Sequence, residues 1–224
     1  MTIKRTQDNN IQTITGGINN MGTRNLTIVY LDGEYKVAQY GQWDGYPEGQ
    51  GLVCLRFLKE KMNREKFVKA LRSLDWISEK ELDDLWKSYG ADENGLINME
   101  DANKFSNEHP EFSRDTGAEI LSLIQEGNIN RLDNYIEFAA NSLCCEWAWL
   151  VDLDAGKFEA YKGFNKRPLT EKDRFFYLGN NADNYGYYGI VKVAEWDLDN
   201  LPSKEEFLEK FKEEDVLSDD DLPF

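Results

Sequence analysis

The sequence predicts an α+β fold: an antiparallel sheet built from an N-terminal and a C-terminal hairpin, packed with a central helical section. Three observations carry this. Alternating runs flank Asp32-Gly33, apolar residues recur at helical spacing through the middle of the chain, and alternation returns from Cys145 onward. Hairpins at both ends, with no alternating βαβ series, leave strands from the two ends to meet in one core.

The first hairpin joins Leu26 to Leu31 with Tyr35 to Tyr40 through Asp32-Gly33, a dipeptide that tolerates the positive φ of a type I′ turn. Leu52, Val53, Leu55, Phe57 and Leu58 then start a helix, and Phe67, Val68, Leu71 and Leu74 continue at helical spacing in a second. Ser78 with Glu81 makes a capping box for a third, through Leu82, Leu85 and Trp86. Further helices are expected over Met99 to Ser106, Thr116 to Gln125 and Leu132 to Ser142. From Cys145 the runs EWAWLVDL and KFEAYKGF, separated by Asp154-Ala155-Gly156, read as the second hairpin, and Tyr187 to Trp196 supplies one more strand. Ser203 with Glu206 caps a last helix through Phe207, Leu208 and Phe211. Residues 1–20 read as a tail or edge addition, 21–214 as one domain, and 215–224 as an acidic tail.

Composition narrows the functions. With 224 residues, 41% hydrophobic and 13% aromatic, the chain can bury a substantial core. The 42 acidic against 26 basic residues leave a net charge of -16, which opposes nucleic acid, anionic lipid and polyphosphate partners. No apolar run approaches the roughly 20 residues that span a bilayer, and Met1 to Asn20 lacks a signal-peptide core, so a cytoplasmic protein without a membrane partner is expected. Cys54, Cys144 and Cys145 form no disulfide-scaffold pattern, and one histidine without a CxxC pair does not make a zinc site.

The leading site candidate follows the first hairpin. Gly41 to Gly51 holds four glycines together with Gln42, Trp43, Asp44, Tyr46, Glu48 and Gln50, a concentration of backbone freedom that suits a shaped loop. Its amides and the following helix N-terminus could hold a polar ligand while Trp43 or Tyr46 stacks on it. A tight strand-to-helix connection accounts for the same residues. Asp44 and Glu48 argue against a phosphate cradle, neither the P-loop nor the GxGxxG pattern is present, and no cofactor is expected.

Other constellations have plain structural readings beside their chemical ones. In GADENGLINMED, Asp92, Asn94, Gly95, Ile97, Asn98 and Asp101 fall at EF-hand positions 3, 5, 6, 8, 9 and 12. Gly90, however, occupies the first position, where an acidic ligand belongs, so a polar turn between helices is expected in place of a metal site. Cys144 could act as a nucleophile with Glu146 or His109 nearby, or pack as a small apolar residue. Thr23 would suit an N-terminal nucleophile if the preceding residues were removed. The basic stretch from Lys59 to Arg72 reads as a solvated helical face.

The words MGTRNLT, YKVAQYGQWDGYPEGQG, SRDTGAEIL and LCCEWAWLVDLDAGKFEAYKGF resemble a family of uncharacterised microbial and viral proteins that begin MGTR and carry a YGQWDGYPxGQG segment. The resemblance spans most of Met21 to Phe164, implies that Met21 matches the usual start, and carries no activity with it. The reading is a soluble protein that binds a small molecule or a protein partner through the glycine-aromatic loop. Gln39, Gln42 and Asp44 would supply hydrogen bonds, Trp43 and Tyr46 a stacking surface, and Arg24 a counter-charge. The alternatives are a hydrolase with Thr23 or Cys144 as nucleophile, and an acidic inhibitor or decoy of a host protein.

Overall fold

A computed structural model describes residues 2–4 and 22–212. In chain order its elements are β1 (Thr2–Lys4), β2 (Asn25–Leu31), β3 (Glu34–Gly41), α1 (Leu52–Arg56), α2 (Arg64–Leu71), β4 (Asp75–Trp76), α3 (Glu79–Ser88), β5 (Leu96–Asn98), α4 (Met99–Glu108), α5 (Ile120–Glu126), β6 (Arg131–Leu132), β7 (Trp147–Asp152), β8 (Lys157–Lys162), β9 (Val191–Asp197) and α6 (Lys204–Lys212). The fold is α+β. The acidic tail and all but three of the first twenty residues lie outside the described residues.

Both hairpins form where the alternation and turn residues place them. Asp32 and Gly33 take φ of 56° and 81°, the left-handed pair that a type I′ connection needs. The five-stranded sheet runs β3-β2-β7-β8-β9, antiparallel throughout except where β2 and β7 lie side by side in parallel. This junction differs from the wholly antiparallel sheet expected. The helical section between the hairpins is long enough to return the chain to the end where it left, so the first strands of both hairpins point the same way.

The sheet is buried on both faces. Leu31, Val29, Trp149, Val151 and Phe158 turn toward α1, α2, α5 and α6, meeting Phe57, Phe67, Leu121, Ile124, Phe207 and Phe211. Leu26, Ile28, Ala148, Leu150 and Tyr161 turn the other way, against Ala139, Phe175 and Ile190 from irregular segments. We call these the helical face and the loop face.

The capping boxes form as read. Ser78 Oγ accepts from Glu81 N while the Glu81 carboxylate accepts from Ser78 N, and Ser203 with Glu206 repeats the arrangement. The helix expected over Leu132 to Ser142 does not form. Asn134 Oδ1 accepts from Ile136 N and Asp133 Oδ1 from Asn134 N, while Tyr135 N donates to Ala38 O in β3, so side chains and the sheet take the amides a helix would use. A short 3-10 turn over Ile136–Ala140 remains. A small side layer carries α3 and α4, with Trp86, Tyr89, His109 and Phe112 gathered around Phe105. There β5 pairs antiparallel with β1, so part of the N-terminal segment is an added edge strand.

Candidate functional site

The glycine loop is held from beneath by buried side chains of β2 and β7, with Asn25 making the most bonds. Asn25, fully buried at the start of β2, donates from Nδ2 to the carbonyls of Gly41 and Trp43, both at 3.2 Å, and of Thr23 at 3.4 Å. Gln50 bridges outward, its Nε2 donating to Trp43 O and its Oε1 accepting from Ala118 N. Gly51 lies so close to the core that a β-carbon there would sit 2.7 Å from the Trp149 ring. Much of the glycine content thus serves close packing of the loop on the sheet end.

The residues assigned to this loop are divided by it. Gln39 is 2% exposed and donates to the Tyr40 and Ser113 carbonyls, so it faces the interior. Gln42 Oε1 accepts from Tyr40 Oη at 2.5 Å, and burial raises that phenol to about 12. Trp43 is half-buried, with Nε1 donating to Asp115 Oδ1 at 2.7 Å. Asp44 and Tyr46 are exposed and joined by a Tyr46 Oη to Asp44 Oδ1 bond of 2.9 Å, which raises the Tyr46 phenol. The Arg24 guanidinium lies 3.7 Å from Glu146, so its charge is answered inside the chain.

Thr23 stands just before β2, its carbonyl accepting from Gly45 N. Half-buried Cys144 donates its amide to Asn141, whereas Cys145 and Cys54 are fully buried and burial pushes both thiols up. His109 contacts Tyr89, Glu111, Phe105 and Phe112 in the side layer, and Cys144 is not among its contacts in the described residues. The Asp92 loop keeps a helix-turn-strand-helix shape, with Asp92 Oδ1 accepting from Asn94 N and Leu96 N, and Asn98 and Asp101 bonded to each other. Among the described residues no group of three or more His, Cys, Asp or Glu side chains converges as a metal site.

A different cluster occupies the loop face, and the sequence reading did not single it out. Register places Asp152, Glu159, Tyr161 and Lys192 on this face, and the 163–190 segment folds over them to deliver Arg174. Glu159 is 4% exposed and Asp152 3%. Arg174 pairs with Asp152 and, at 3.1 Å, with Glu159 Oε2, which also accepts from Tyr161 Oη at 2.7 Å. Lys192 lies 3.3 Å from Glu159 Oε1 and 2.5 Å from Glu195. Burial opposes the Arg174 charge, yet Asp152 and Glu159 hold its pKa above the ordinary value; burial and the neighbouring carboxylate raise Tyr161. Tyr30 lies beneath the Arg174 guanidinium at 5.3 Å.

Glu159, Tyr161, Lys172, Asp173, Arg174, Ile190 and Lys192 line a cavity of about 330 Å³. That volume lies at the small end of the range for ligand pockets. The signal available in the sequence was Glu159 within an alternating strand, a charge that looks solvated until the sheet is known to be covered on both faces.

No family model, curated protein or solved structure matches this chain. Among the described residues no helix is long and apolar enough to cross a membrane.

Proposed function

We propose that this protein binds a compact, singly anionic small molecule in the cavity over Glu159. The observation that carries the reading is the hydrogen-bond inventory around that cavity. Its carboxylates are already served from within: Glu159 by Tyr161, Arg174 and Lys192, Asp152 by Arg174 and Ala155 N, and Asp173 by Thr170. Lys172 makes no ion pair among the described residues, and Lys192 carries three donor protons for its two carboxylate partners. Donors are therefore in surplus at the mouth, which selects a ligand that accepts hydrogen bonds. The overall charge of -16 weighs against a polyanion and favours a small acid. In this reading the glycine loop is scaffold at the sheet end, and ligand recognition belongs to the loop face.

Native mass spectrometry of freshly purified protein, followed by thermal melting with formate, acetate, pyruvate and lactate at millimolar concentration, tests the proposal. A bound acid should appear as excess mass lost on denaturation. A probe at a hundredfold excess over its Kd should add about 2.7 kcal/mol of stability, reduced in Lys172→Met/Lys192→Met. The absence of both excess mass and stabilisation by every probe would refute it.

A further inference from the structure

Three buried side-chain oxygens have no nitrogen or oxygen hydrogen-bond partner among the described residues: Asn25 Oδ1, Thr27 Oγ1, which has only the Cys54 thiol beside it, and Gln39 Oε1. Their residues are at most 2% exposed. Buried polar groups are nearly always partnered, so three such oxygens in one place require an explanation.

They are neighbours by register. Thr27 lies opposite Gln39 across β2 and β3, and Asn25 is two residues away on the same face. Directly opposed side chains on one sheet face start about 5 Å apart, and next neighbours along a strand about 7 Å, so one small molecule between them can reach all three. Neither amide can turn to remove its own problem. Asn25 Nδ2 is committed to the carbonyls of Thr23, Gly41 and Trp43, and Gln39 Nε2 to those of Tyr40 and Ser113. Reversing either would set an oxygen against carbonyl oxygens.

The valences select the occupant. Two of the oxygens only accept, while the Thr27 hydroxyl both donates and accepts. We propose that one ordered water is built into the interior between β2 and β3, donating to Asn25 Oδ1 and Gln39 Oε1 and accepting from Thr27 Oγ. About three hydrogen bonds to buried polar groups is the usual condition of a buried water, and the Thr27 hydroxyl, which donates and accepts, can face the Cys54 thiol and the water together. A monovalent cation fits less well, because the three oxygens are neutral and burial holds the nearby Cys54 in its thiol form, leaving no counter-charge. The water supports the side chain that grips the glycine loop, so it belongs to the foundation of that loop.

A crystal structure at a resolution that orders internal water should show one peak within hydrogen-bonding distance of all three oxygens. Crystals grown with rubidium in place of lighter alkali ions should show no anomalous signal there. A rubidium signal, or well-ordered density in which the three oxygens find protein partners and no peak lies between them, would overturn the proposal. Solution NMR of the intact chain gives a second route. Cross-peaks from the Gln39 side-chain amide to a slowly exchanging water are expected in the wild type, and Thr27→Val should weaken them and speed exchange of loop amides about tenfold. Wild-type protein without such cross-peaks would count against the water even if Thr27→Val failed to fold.

Discussion

Trp149 Nε1 donates to the carbonyl of Gly45 at 2.9 Å, tying the middle of β7 to the middle of the glycine loop. Trp149 is fully buried and its ring packs with Trp147, Phe158, Phe207 and Phe211. Replacing it with Phe removes the only side-chain donor to that carbonyl among the described residues and leaves a buried acceptor unpaired. Urea unfolding of Trp149→Phe should show a loss of about 3 kcal/mol, combining the unpaired carbonyl with incomplete packing.

Two glycine substitutions should behave differently. At Gly49 a β-carbon would stand 2.1 Å from the Asp44 carbonyl oxygen, so Gly49→Ala has to move backbone and should cost about 2 to 4 kcal/mol. Gly33 has open space but φ of 81°, and Gly33→Ala should cost only about 1 kcal/mol. Equal losses in thermal melts would contradict the packing account of the loop.

Arg174→Met strands Asp152 in the loop face, whereas Glu159 keeps Tyr161 and Lys192. Leaving buried charges unpaired costs about 3 to 5 kcal/mol. Asp152→Asn added to Arg174→Met should restore part of the loss, whereas a simple packing defect would not respond to it.

Stability should fall on the acid side of pH 5. Hydrogen bonds from Ser78 and then Arg131 hold Glu81 at about 2, Lys192 lowers Glu195, and backbone and hydroxyl donors lower Asp173 and Glu206. A carboxylate with a folded pKa below its unfolded value contributes stability fully above the unfolded value and loses it as pH falls through the folded one. The decline should run from about pH 5 toward pH 2. Lys192 works in the opposite sense: Glu195 raises its pKa, so its contribution is full below the unfolded value near 10.4 and is lost as pH rises through the folded one. Denaturant midpoints measured across pH would reveal the two edges.

Millimolar calcium should leave the melting curve of wild-type protein unchanged. Asp92 spends Oδ1 on two backbone amides, and Gly90 supplies no ligand at the first loop position. A calcium-dependent shift that Asp92→Ala abolishes would reverse this expectation.

The strands were readable because Asp32-Gly33 and Asp154-Ala155-Gly156 mark turns between alternating runs, and the capped helices because Ser78 and Ser203 stand three residues before Glu81 and Glu206. The lost helix at Leu132 was not, since Asp133 and Asn134 divert amides locally and Tyr135 is claimed by a strand nearly a hundred residues earlier. The glycine segment, read as a loop through Gly51, is irregular only to Tyr46, because Pro47–Gly51 already turns helically into α1. The packing of Gly51 on Trp149 and the three carbonyls collected by Asn25 depend on tertiary approach, which no local pattern encodes. The Arg174 cluster lay hidden for a similar reason: a long irregular segment brings Arg174 onto residues from two strands, and irregular chain carries no periodicity to follow.

The parallel pairing of β2 with β7 sets Asn25 beside Trp147 and Tyr30 beside Asp152, each pair separated by 122 residues of chain. Each hairpin can close locally within microseconds, but the sheet exists only once the whole helical section has been looped out and the two hairpins have met. This high contact order places folding in the slow range, and a nascent chain that has not yet emerged past β8 would hold its first hairpin without the neighbour that completes the core. During synthesis the β2 edge is therefore exposed, and the charged Asp32 turn with Arg72 bound to it is the nearest feature available to discourage pairing with another chain.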